Sequence, residues 1–321
     1  MTPLKHPEQA AAQLTAHRAN QNDSVILFGE VLADIFPDKT VLGGAPFNVA
    51  RHLKAFGQNP ILISRLGKDR LRDEVMRVMS QCEMEISGIQ NDDSHPTGQV
   101  RVLFEDTGHR FEILPLQAYD FIHPTVLGKS VLPIRPSLVY FGTLAQRHEV
   151  SRLALDTLLE TTPDAEKFMD INLRAPWYNE SILHKSLQYA NIVKLNDDEL
   201  KILVELFTLA GSSPENQIMD LLTRFDINQA IITCGKNGAW QINRSGEIIN
   251  TGANNVAVKL IDTVGAGDGF SAICMLGSLM KWSMKTKLSR ANTFAASICG
   301  IRGAIPEHLD FYKPFIQEWK I

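Results

Sequence analysis

The densest group of chemistry-bearing residues lies near the end of the chain. It is Asp262–Thr263–Val264–Gly265–Ala266–Gly267–Asp268–Gly269–Phe270, just ahead of an apolar helical stretch. Small residues at a helix start leave backbone N–H groups uncovered. With the helix dipole they make a site for phosphate or another anion. Asp268 beside such a site is a poor phosphate ligand, because like charges repel. It makes sense if it receives a proton from a hydroxyl that attacks phosphorus. The other reading is that Asp268 decorates a helix N-terminus, as aspartate often does. Spacing alone leaves both open.

A second glycine pair, Gly43–Gly44, precedes a stretch with helical signposts. Pro46 suits a first turn, Gly57 suits the left-handed position past the end, and Val49, Leu53 and Phe56 share a face. Two glycines there let backbone come close to something small. Gly128–Lys129–Ser130 resembles half a P-loop, but His123 stands where the leading glycine belongs, and Pro124 follows it. A dinucleotide fingerprint beginning at Gly265 would need glycine where Phe270 stands.

The elements that position these residues read as an alternation. Strands are expected at 25–28, 61–65, 138–141, 168–171, 192–195 and 230–233. Helices are expected at 46–56, 70–82, 150–161, 179–189, 198–209 and 216–225. This pattern predicts βαβ units and a parallel sheet with helices on both faces. Two further strands, 98–104 and 110–114, turn at 106–108. With 32–41 they predict a small separate sheet, inserted in two pieces over one edge of the main domain. A last hairpin is expected at 239–243 and 247–250.

Ligands in such sheets bind beyond the carboxyl ends of the strands. The residues expected there are Gly29, Glu30 and Asp34; Asp170, Asn172 and Arg174; Asn196, Asp197, Asp198 and Glu199; and Gly235, Lys236 and Gly238. Each group alone is ordinary loop chemistry; together they predict a crevice.

The 321 residues are 44% hydrophobic and 21% charged, which excludes a mainly disordered or low-complexity chain. A formal net charge of −4 argues against a general nucleic-acid binder. Apolar runs are too short to span a membrane. The polar, Ala/Gln-rich arm at 1–23 has no apolar core to act as a secretion signal, so a cytoplasmic protein is expected. Cys82, Cys234, Cys274 and Cys299 lie far apart and read as reduced, mostly buried thiols. The histidines, such as His52, show no metal-ligand spacing, and Trp177 and Trp240 read as packing residues.

The DTVGAGDGF segment resembles the C-terminal signature of the ribokinase-like (PfkB) carbohydrate kinases. Gly43–Gly44–Ala45–Pro46–Phe47–Asn48–Val49–Ala50 resembles their N-terminal signature in its fructokinase form. GEVLAD (29–34), TGQVRVLF (97–104), DINLR (170–174), KLNDDEL (194–200), ITCGKNGAW (232–240) and ANTFAASICGIRGA (291–304) continue it, from about Ser24 onward.

The resemblance implies an α/β, ribokinase-like three-layer sandwich over 24–321, with a mostly parallel central sheet and a small β-sheet lid from about 31–42 and 97–120. It implies ATP-dependent phosphorylation of a sugar's primary hydroxyl. Asp268 matches the catalytic base, and Gly265, Ala266 and Gly267 match the anion hole around the transferring phosphoryl group. Asp34, Gly44 and Asn48 match sugar-binding positions, with Gly43 close by, and Arg174 reads either as a substrate clamp or as a solvated loop arginine. Asn196 and Glu199 match a motif that organises Mg²⁺ and phosphate, largely through water, although the same pair reads as a helix cap. Thr233, Gly235, Gly238 and Asn292 match nucleotide-site positions. Asp262, Val264, Ile298 and Gly303 match a loop that holds a K⁺-like ion, mainly through carbonyls.

Fructose, phosphorylated at O6, is the expected substrate. The alternatives are 2-keto-3-deoxygluconate, another furanose or nucleoside, or a sugar-binding regulator without turnover. The segment Leu114–Asp120 departs from the family by carrying Leu and Pro where relatives often carry a basic residue, which favours a neutral sugar over an acid one. Open lid edges predict a homodimer.

Overall fold

The computed structural model describes residues 24–105, 108–125, 135–253 and 259–321. The expected N-terminal arm, positions 106 and 107 of the expected turn, and Gly128–Lys129–Ser130 lie outside them.

In chain order come β1 (Val25–Phe28), β2 (Leu32–Ile35), β3 (Thr40–Gly43), helix α1 (Ala45–Ala55), β4 (Pro60–Gly67), α2 (Arg70–Gln81), β5 (Ile89–Asp92), β6 (Gly98–Glu105) and β7 (Gly108–Ile113). Then follow β8 (Leu138–Phe141), α3 (Glu149–Thr161), β9 (Glu166–Asp170), α4 (Glu180–Tyr189), β10 (Ile192–Asn196), α5 (Asp197–Phe207) and α6 (Pro214–Phe225). The rest is β11 (Gln229–Thr233), β12 (Ala239–Asn243), β13 (Ile248–Asn250), α7 (Ala266–Leu279), α8 (Met284–Ile298) and α9 (Lys313–Trp319).

The larger sheet runs β13-β12-β11-β10-β9-β8-β1-β4-β5. Its pairs are parallel from β11 to β5, and β12 and β13 are added antiparallel at the other edge. Strand side chains alternate between faces, and the core divides accordingly. Ile26 and Phe28 pack with Leu155, Leu183, Leu203 and Leu222, from α3 to α6. Val25 and Leu27 pack with Phe47, Val75, Ile273 and Phe294, from α1, α2, α7 and α8. The result is three layers with a mostly parallel sheet in the middle, as expected.

The smaller sheet, β3-β2-β6-β7, is built from two separate pieces of chain. β2 pairs parallel with β6 and antiparallel with β3. The sequence reading gave no strand at β5, whose residues Ile89–Asp92 lack a clear apolar period, nor helices at α8 and α9. No helix among the described residues is long and apolar enough to cross a membrane. The four cysteines are free, but only Cys274 is buried; the other three are half-buried, against the expectation of mostly buried thiols.

Candidate active site

Two helix starts face each other across the strand ends. Gly265 caps α7 with φ 77° and no side-chain hydrogen bond. The left-handed backbone suits glycine, and a Cβ there would stand 2.3 Å from the Ala304 Cα. The N–H of Ala266 turns back to the Thr263 carbonyl at 3.3 Å. The expectation of free N–H groups across 265–267 is therefore corrected at Ala266, because the tight turn into the helix uses it.

Asp268 sits in the first turn, and its Oδ2 accepts a hydrogen bond from Asn48 Nδ2 at 2.8 Å. Asn48 comes from α1, which starts after Gly44. Gly44 has φ +105°, and a Cβ there would meet the Glu30 carbonyl at 2.5 Å. Residues 220 apart in sequence are thus joined by one bond. The Oδ1 of Asn48 is buried without a partner and remains an open acceptor.

The sugar-binding candidates gather on the same side. An added Cβ on Gly43 would lie 3.9 Å from Asp34 Oδ2, so that carboxylate stands over the glycine pair. Asp34 is half-buried and Glu30 is buried. Burial raises Glu30 to about 7 and Asp34 to about 6, with the Arg174 charge pulling both down. Burial likewise raises Asp268 to about 6, helped by Asp170 and opposed by the Asn48 bond, Lys194 and Arg174. Arg174 is exposed, and its Nη1 donates to the Leu173 carbonyl at 3.1 Å. Its charge reaches Glu30, Asp34 and Asp268 together.

Under the start of α7 lies a polar cluster that the sequence reading did not assign. Lys194 Nζ donates to both oxygens of Asp170 at 3.1 Å. Asp170 Oδ2 also accepts from Ser271 Oγ at 2.7 Å and from the Tyr140 hydroxyl at 3.3 Å. The signal was a lysine inside one apolar strand run and an aspartate within another, since such residues are rarely buried unless paired. Glu30 and Asp170 stand among the residues expected beyond the strand ends, where neither has an assigned role.

Asn196 and Glu199 form a closed cap. The Asn196 side chain accepts the Glu199 N–H at 2.8 Å, and Glu199 Oε2 accepts the Asn196 N–H at 2.8 Å. Glu199 Oε1 takes the Leu173 N–H at 2.8 Å, tying the loop before Arg174 to α5. The helix-cap reading is therefore correct in geometry. With both oxygens bonded to backbone, Glu199 suits an ion held through water. Among the described residues no cluster of His, Cys, Asp and Glu could hold a metal by itself.

Thr233 pairs in register with Asn196 at adjacent strand ends. Gly235 and Gly238 flank the short turn that follows, where the Cys234 N–H bonds the Gly238 carbonyl at 2.8 Å. Asn292 lies on α8, half-buried. Asp262 accepts the N–H of Val264 and the N–H of Gly303, each at 3.0 Å, which pins two loops beside Gly265. The Ile298 carbonyl accepts the Ile301 N–H at 3.1 Å. These groups fit a monovalent cation only in part, because N–H donors already occupy the carboxylate.

Of the packing residues, Trp177 lies 4.5 Å from the Arg147 guanidinium, and Arg147 forms a buried pair with Asp120 at 2.7 Å. His52 is buried, with Nδ1 3.0 Å from the Tyr312 hydroxyl.

The profile of the pfkB family carbohydrate kinases matches residues 18–309. The chain belongs to the pfkB family of carbohydrate kinases. It is 25% identical to the fructokinase of Salmonella typhimurium over 92% of this chain and 100% of that one. The ATP-bound fructokinase of Xylella fastidiosa superposes with a TM-score of 0.81 at 19% identity, over 94% of this chain and 100% of that one. A double mutant of the Vibrio cholerae O395 fructokinase, bound to fructose, ADP and potassium, superposes at 0.73 with 20% identity, over 91% of this chain and 98% of that one. The fold is therefore ribokinase-like, and in this pfkB carbohydrate kinase the bond from Asn48 to Asp268 brings the two glycine-led helix starts together.

Proposed function

We propose that this kinase transfers the γ-phosphoryl group of ATP to the primary hydroxyl of a neutral sugar, with fructose and its O6 the leading substrate. The observation that carries this is the 2.8 Å bond between Asn48 and Asp268, which brings the glycine pair at 43–44 to the uncapped start of α7.

Asp268 is the base. Phosphoryl transfer passes through a loose transition state, so the alcohol loses its proton late and the base needs only modest strength. At about 6, Asp268 is ionised at neutral pH and is a stronger acceptor than an ordinary aspartate. The N–H groups at the start of α7, with Gly265 and Ala266 shaping the turn and Gly267 leaving it open, meet the charge on the phosphoryl oxygens. Asp34, the open Oδ1 of Asn48 and the backbone at Gly43–Gly44 hold the sugar's other hydroxyls and keep one alcohol in line. The adenosine part of ATP lies along Thr233, Gly235, Gly238 and Asn292. Asn196 and Glu199 would hold Mg²⁺ through water, and the ion, bound with ATP, would neutralise charge on the polyphosphate. Asp262, Val264, Ile298 and Gly303 would hold a monovalent cation, mainly through carbonyls, beside the start of α7.

The charge balance supports a neutral sugar. Glu30, Asp34 and Asp268 share one facing arginine, and that arginine already bonds a carbonyl. A carboxylate-bearing sugar would meet these acids at close range. The smaller sheet is the lid that excludes water from the phosphoryl group. Its edges, β3 and β7, are the surface through which a second copy would pair.

The test is ADP release with fructose, 2-keto-3-deoxygluconate, ribose and a nucleoside. Highest kcat/KM on fructose is expected. Highest turnover on the acid sugar would replace the substrate, and absence of turnover on every sugar would remove the kinase assignment.

A further inference from the structure

We infer that Lys194 is the cationic floor of the phosphoryl site: its ammonium, pinned by Asp170 directly beneath Gly267, adds the positive charge that holds the migrating PO₃ unit. The inference deepens the proposal above and rests on residues 265–268 being the place where that unit binds.

The position is specific. A Cβ built on Gly267 would lie 3.3 Å from Lys194 Nζ, so only a missing side chain separates the ammonium from the open face of the helix start. Strand alternation sends Ile192 and Lys194 to the α7 face of the sheet, while Val193 and Leu195 face the other core. Phe168 and Tyr140 belong to the same α7-side core, and strand alternation places Asp170 with Phe168. Lysine and aspartate therefore meet under α7, whose first turn has no side-chain cap.

Electrostatics make this an unusual place for a cation. A helix start carries about half a positive charge, and cations are normally favoured at the opposite end. A lysine that is 7% exposed there costs desolvation as well. Asp170 offsets part of this, and its oxygens are saturated by Lys194, Ser271 and Tyr140. Burial by itself would lower the lysine, but Asp170, Glu199 and Asp268 hold it above its ordinary value, so it stays charged. An anion arriving over Gly267 supplies the favourable partner that the ligand-free helix start lacks. In the loose transition state the PO₃ unit is still anionic but nearly detached from ADP, and as it passes over Gly267 the fixed ammonium balances its charge without having to reorganise. Across roughly 5 Å at an effective dielectric near 20, one such charge is worth on the order of 100-fold in rate.

A purely structural pair would predict something different. Removing one partner leaves an uncompensated buried charge, whereas removing both relieves it. The experiment compares wild type, K194M, K194R and the double variant K194M/D170N. Readouts are melting temperature, kcat, KM for ATP and fructose, ADP affinity, and the tightening of ADP when aluminium fluoride and fructose are added as a mimic of the migrating group. In wild type, aluminium fluoride is expected to tighten ADP.

The expected result is that K194M/D170N melts near wild type and binds ADP within about 3-fold, while kcat falls about 100-fold and the aluminium fluoride tightening is lost. K194R, which keeps the charge, retains more kcat than K194M. Return of both kcat and tightening in the double variant overturns the role of Lys194 and leaves the anion hole standing. If the double variant does not fold, K194M is read the same way: normal kcat and tightening overturn the inference. Failure of wild-type ADP to tighten overturns the hole itself, and this inference with it.

Discussion

The starts of α5 and α7 are built to opposite plans. At α5, Asn196 and Glu199 satisfy each other's backbone N–H groups, and Glu199 reaches on to Leu173. At α7, Gly265 offers no side chain, and the nearest carboxylate, Asp268, turns to Asn48 instead of to its own helix. The first helix start is closed by its own residues and so holds structure. The second is left for an outside anion. The four N-terminal N–H groups of any helix need partners, and what supplies them separates a cap from a site.

The comparison can be broken in several places. The largest effect is expected for Asp268→Asn, which keeps the Asn48 contact geometry and removes the base. Its kcat should fall by about 10³-fold with ADP affinity nearly unchanged, read by coupled assay and calorimetry. Turnover close to normal would end the base assignment. Gly265→Ala comes next. The φ of 77° and the 2.3 Å approach to Ala304 force the turn to move. A loss of about 100-fold in kcat, with a drop in melting temperature, is expected. Asp34→Ala should raise the fructose KM about 30-fold with a smaller change in kcat; an unchanged KM would put the sugar elsewhere.

Asn196→Ala tests the closed start. It should cost about 1 kcal/mol of stability, measured by denaturant unfolding, and lower kcat less than the changes at α7 do, because its contact with Mg²⁺ would run only through water. A large kcat loss without destabilisation would make the α5 start a site like α7.

The buried acids also make stability depend on pH. Glu30 has a folded value of about 7 against 4.5 when exposed, so between those values the folded chain binds a proton that the unfolded chain has lost. Stability therefore falls as pH rises through that window, by at most about 1.4 kcal/mol per pH unit for one group. Glu30→Gln should flatten this part of a melting-temperature profile from pH 4.5 to 7. Asp34 and Asp268 slope the same way up to about 6. A profile that rises over this range would contradict the burial argument.

Much of the fold was legible because it rests on local periodicity. Apolar runs of strand length alternating with helical faces placed β1, β8 to β12 and α1 to α6 within a few residues. Strand β5 and the C-terminal helices escaped because their burial comes from neighbours, as where Phe56 stacks on Trp319. At the site, the glycine segments and Asp268 stood out by type and spacing. Glu30, Asp170 and Lys194 did not, because each is one polar residue in or beside an apolar run, and such a residue acquires meaning only from what faces it.

The alternation, the two glycine-led helix starts and the residues able to accept a proton or an anion can all be read from the order of amino acids alone. These follow from backbone sterics and short-range periodicity, which neighbouring residues decide. Only the tertiary structure decided that Asn48 meets Asp268, that Asp34 stands over Gly43, and that a lysine lies under Gly267. Those are through-space contacts between segments far apart in the chain, set by how the layers pack, and no local pattern encodes which partner a buried charge will find.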